Sequence, residues 1–101
     1  MNVDFDLGTL TTLSLKLGKS YRILSVTHPL TREFFMMKAE LHLPDFISLV
    51  KEEELDMEGS HGCIYTISAN DSGKGILITS LVDLKTGIPV VEKRVTAEVL
   101  P

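Results

Sequence analysis

The chain has 101 residues, of which 44% are apolar and 24% charged, and a net charge of −4. That length builds one domain, residues 1–101, with a real but thin core, and the composition excludes a disordered or low-complexity chain. No apolar run approaches the roughly 20 residues of a bilayer-spanning helix, so no membrane role is expected.

The opening MNVDFDLG carries two aspartates and no basic residue, unlike a secretory signal. The single cysteine, Cys63, excludes an internal disulfide and fits a reducing, cytoplasmic compartment. Val3, Phe5 and Leu7 alternate with Asp4 and Asp6 as a first strand. Thr9 to Leu17 continues in β-favouring residues, with Leu13, Leu15 and Leu17 on one face. Gly18-Lys19-Ser20 turns the chain into a third strand, Tyr21 to Thr27, and the proline-broken 28–32 segment is a connection.

The strictest alternation follows, from about Glu33 to Leu43. Phe35, Met37, Ala39, Leu41 and Leu43 share one face against Met36, Lys38, Glu40 and His42. Pro44 ends that strand. Phe46, Ile47, Leu49 and Val50 then recur at helical spacing, which predicts one short α-helix near 44–54 with Pro44 or Asp45 at its start. Glu52, Glu53 and Glu54 would sit at the wrong end of that helix dipole, so a strand through Phe46–Val50 is the alternative. Cys63–Ala69 and Gly75–Leu84 read as strands around the polar loop Asn70–Lys74. A turn at 83–87 leads to a last strand, Val90–Leu100.

About seven short strands and one helix predict a mainly β fold, an antiparallel β-barrel or sandwich. The order of elements, strands, then a helix, then a hairpin, resembles the five-stranded OB arrangement.

Chemistry-bearing motifs are few. Gly73-Lys74-Gly75 joins two strands and lacks the flanking glycine and hydroxyl of a phosphate loop. His61 and Cys63 offer a nitrogen and a sulfur, but structural zinc sites use two paired clusters and only one is present, so no metal or other cofactor is expected. No base–nucleophile motif is legible, so the chain reads as a non-catalytic binding module and not an enzyme.

Charge is uneven along the chain: residues 16–38 hold five bases and one acid, residues 39–58 seven acids and Lys51. The basic block carries aromatics. Cations that follow phosphates and rings that stack on bases are how sequence-tolerant proteins hold single-stranded DNA or RNA. On that reading Lys16, Lys19, Arg22, Arg32 and Lys38 contact phosphates, and Tyr21 and Phe34 stack. The competing reading is a protein-interaction or assembly module, an accessory, structural or inhibitory subunit. It would work through the acidic 52–58 segment or an exposed strand edge, which could also join copies into a homo-oligomer.

Overall fold

The computed structural model describes residues 2–25, 27–29, 37–57 and 59–101. Among the described residues nine strands follow one another. They are β1 (Phe5–Asp6), β2 (Thr12–Lys16), β3 (Ser20–Leu24), β4 (His28–Pro29), β5 (Met37–His42), β6 (Ile47–Met57), β7 (Ser60–Ala69), β8 (Gly73–Asp83) and β9 (Pro89–Leu100).

They form two sheets. In the first, β7 is the central strand, with β6 along one edge over its whole length. The other edge takes β3 opposite Ile64–Ser68 and β4 opposite Ser60 and His61, and β1 lies parallel outside β3. The second sheet runs β2-β9-β8-β5, antiparallel except for the β2–β9 pair. Between the sheets sits one apolar core, with Ile23, Tyr65 and Ile67 from the first facing Leu13, Leu15, Leu77, Val95 and Val99 from the second. The period-2 patterns place these residues inward. Leu13 and Leu15 are buried while Ser14 and Lys16 are exposed, and Ala39 is buried between exposed Lys38 and the half-buried Glu40.

Two expectations are corrected. Among the described residues there is no helix, and the segment expected to form one becomes β6, the alternative strand extended to Met57. Ten of its residues pair with β7, and that ladder outweighs the helical spacing of four apolar side chains. A register shift between Leu49 and Lys51 produces that misleading spacing, because it leaves Val50 outside the pairing and exposed. The second correction concerns the barrel. The strands split into two separate sheets and do not close, so the OB-like arrangement is replaced by a sandwich-like one. Among the described residues no helix is long and apolar enough to cross a membrane.

Candidate protein-binding end of the sandwich

Strand connections define two ends. Only four residues join β5 to β6 and three join β7 to β8, too few to run the length of a ten-residue strand of about 33 Å. His42, Ile47, Ala69 and Gly73 therefore share one end. At the opposite end β6 turns into β7 and β8 into β9, and the chain leaves β3 for β4 and later enters β5. One hairpin connection from each sheet thus lies there, beside the end of β3.

Each is anchored by named groups. The β6–β7 turn is tight, with Met57 paired to Ser60 and Gly59 at φ +76°, a backbone region where a side chain would be strained. Just behind it the His61 ring lies 2.6 Å, Nδ1 to Oδ1, from the Asp56 carboxylate directly across the strand pair. The buried Ser25 continues β3 in two ways. Its amide donates to the Cys63 carbonyl at 2.8 Å, and its hydroxyl accepts from the Cys63 amide at 2.9 Å. Gly62 allows this close approach, since a Cβ there would stand 3.0 Å from Thr27 Cγ2.

The β8–β9 loop, residues 84–88, is held by Asp83. Its side chain accepts from the Lys85 amide at 2.8 Å, and its carbonyl accepts from the Gly87 amide at 2.7 Å. Gly87 adopts φ +71°, and the Thr86 hydroxyl accepts from the Ile88 amide at 3.2 Å. A loop so well bonded would ordinarily carry polar residues. Instead Leu84 and Ile88 stand 55% and 62% exposed, and Val90, at the start of β9, 55%. Exposed aliphatic groups on a fixed backbone give up little conformational entropy when covered, which is the physical requirement of a protein-binding edge.

Of the described residues expected to grip nucleic acid, Lys16, Lys19 and Tyr21 lie together around the β2–β3 turn, whereas Lys38 lies apart from them. Lys16 ends β2 in one sheet and Lys19 lies in the following turn, both exposed. Arg22 is on β3 in the other sheet and is already engaged: its guanidinium donates to the Asn2 carbonyl and lies 3.9 Å from Glu53. Lys38 belongs to β5, at the far edge of the second sheet from β2. Tyr21 turns toward the core with its ring 5.8 Å from Phe5, and its hydroxyl accepts from the Lys16 amide at 2.9 Å. Arg32 and Phe34 lie outside the described residues. The Arg22–Glu53 contact also brings the basic and acidic blocks together, so the dipole along the sequence is partly folded onto itself. Among the described residues no three His, Cys, Asp or Glu side chains assemble as metal ligands.

No protein-family model and no curated protein matches the chain. Among solved structures it is similar to a crystal structure of the cysteine protease inhibitor EhICP2 from Entamoeba histolytica. The TM-score is 0.65 over 97% of this chain and 87% of that one, at 10% identity. Such a likeness establishes a shared fold. It also overturns single-stranded nucleic-acid binding as the leading reading. The arrangement shared with a known protein is a protease inhibitor's, and the proposed stacking ring of Tyr21 is packed and hydrogen-bonded.

Sequence patterning treats residues 83–87 as a plain turn. The available signal was Leu84 and Ile88, aliphatic residues beside Asp83 and Gly87 where turn chemistry favours polar ones.

Proposed function

We propose that the protein acts by binding another protein, as an inhibitory module, through the end formed by the β6–β7 turn, the 84–88 loop and the β4 segment. The carrying observation is the pair Leu84 and Ile88, exposed on a loop whose backbone Asp83 fixes, with exposed Val90 beside them at the start of β9. The fold shared with a cysteine protease inhibitor makes cysteine proteases the first partners to test. An inhibitor of this kind presents a pre-formed edge to a cleft and needs no chemistry of its own.

The test is steady-state inhibition of two cysteine proteases of unrelated fold, papain and a caspase, with wild type and the Leu84→Ser/Ile88→Ser double variant. Inhibition of either enzyme that weakens at least tenfold in the double variant supports the reading. No inhibition of either enzyme at micromolar protein removes the protease assignment.

A further inference from the structure

The two sheets leave a groove along one side, between the outer strands β5 and β6. Among the described residues β5 pairs only with β8, and β6 only with β7, so each turns one free edge to this side. Five consecutive residues of β5, 38–42, line a groove of about 280 Å³ together with Leu49, Glu52 and Tyr65. Consecutive lining means that the β5 backbone itself forms the wall, because side chains of one face would alternate. In an antiparallel ladder every second residue points its N–H and C=O away from its partner. The six residues of β5 therefore offer three donors and three acceptors to the groove.

Two further features concern what would fill it. The exposed Glu52 lies directly across the strand pair from Tyr65, and among the described residues no cation stands within ion-pair distance of it. Tyr65 is 1% exposed, and its hydroxyl makes no hydrogen bond to any described oxygen or nitrogen; the polar group beside it is the Cys63 thiol. Burial, reinforced by the thiol and by the Glu52 charge, pushes the Tyr65 pKa up, so the hydroxyl keeps its proton. Glu40 and Glu52 against Lys38 leave the groove one charge negative. Among the described residues, an open strand edge beside a carboxylate that no cation pairs specifies one kind of occupant.

We propose that this groove receives an extended segment of a partner protein, added as a strand on β5, with a lysine or arginine side chain directed at Glu52. Backbone pairing supplies the attachment, and the cation supplies selectivity. This site is separate from the 84–88 end and stands whether or not that end binds a protease.

The experiment is an amide-NMR titration of the full chain with the blocked pentapeptides acetyl-Val-Thr-Arg-Thr-Val-amide and acetyl-Val-Thr-Glu-Thr-Val-amide, and with ethylguanidinium alone. The expected result is that the arginine peptide shifts the amides of residues 38–42 and 52, and binds at least tenfold more tightly than the glutamate peptide. Glu52→Gln should erase that preference while β5 amides still shift. Ethylguanidinium should bind at least tenfold more weakly than the arginine peptide. Equal binding of the two peptides, ethylguanidinium as tight as the peptide, shifts confined to other strands, or no shift at millimolar peptide would each overturn the proposal.

Discussion

The two open sides of the sandwich are closed in different ways. On the β1/β2 side the chain itself crosses from one sheet to the other through residues 7–11. Leu7 is fully buried there, its amide donating to the Leu24 carbonyl, and Leu10 packs on the core. On the β5/β6 side the crossing lies at the extreme end. Phe46 plugs that end by covering Gly73 and Gly75, where an added Cβ would meet its ring at 2.9 and 3.3 Å. Beyond Phe46 the side is open, and Leu49 and Glu52 border it over the buried Tyr65. A crossing at mid-height seals a sandwich; a crossing at its end leaves a groove.

The contrast is broken most severely by Leu7→Ala. Removing a fully buried leucine from the sealed side should cost about 2–5 kcal/mol, read as a lowered urea midpoint with an unchanged slope. Ser25→Ala comes next, at about 1–3 kcal/mol, because it leaves the buried Cys63 amide without its acceptor.

A smaller effect comes from pH. Burial, with Glu52 and Glu54 nearby, raises the Cys63 pKa, and burial with Cys63 and Glu52 raises that of Tyr65. Both groups therefore hold their protons in the folded state to higher pH than in the unfolded chain. Unfolding then releases protons, and the stability these groups retain at neutral pH is lost as pH climbs past about 8.5 and then 10. Urea midpoints at pH 7, 9 and 10 should fall, and Cys63→Ala should flatten the fall between the first two. A slope unaltered in that variant would assign the effect to other groups.

The smallest change is Tyr65→Phe on the open side. Among the described residues the hydroxyl it removes has no oxygen or nitrogen partner, so stability should move by less than about 1 kcal/mol in either direction. A loss as large as that of Leu7→Ala would mean that the hydroxyl is tied into the core through the Cys63 thiol.

Much of the sandwich was legible in period-2 patterning. Leu13 and Leu15 on β2, Ala39 and Leu41 on β5, and the hairpin through Asn70–Ser72 lie where alternation places them. Pairing was not legible. The parallel contacts β1–β3 and β2–β9 bring together residues up to 84 positions apart, as in Thr12 opposite Thr96, and no local pattern encodes that. β6 misled because one unpaired residue, Val50, shifts its alternation out of phase. Of the residues singled out for binding, the described ones are scattered over two sheets, since charge summed along a sequence takes no account of which strand edge carries it.

On the proposed function, the end bearing Leu84 and Ile88 is the working surface. One comparison tests it most directly: inhibition of a responsive cysteine protease by wild type, Leu84→Ser/Ile88→Ser and Glu52→Gln, with the thermal midpoint of each. The loop variant should lose at least tenfold in inhibition while its midpoint stays within a few degrees, because both side chains are exposed. Glu52→Gln, on the open side, should inhibit as wild type does. Full inhibition by the loop variant, or loss confined to Glu52→Gln, would contradict the account.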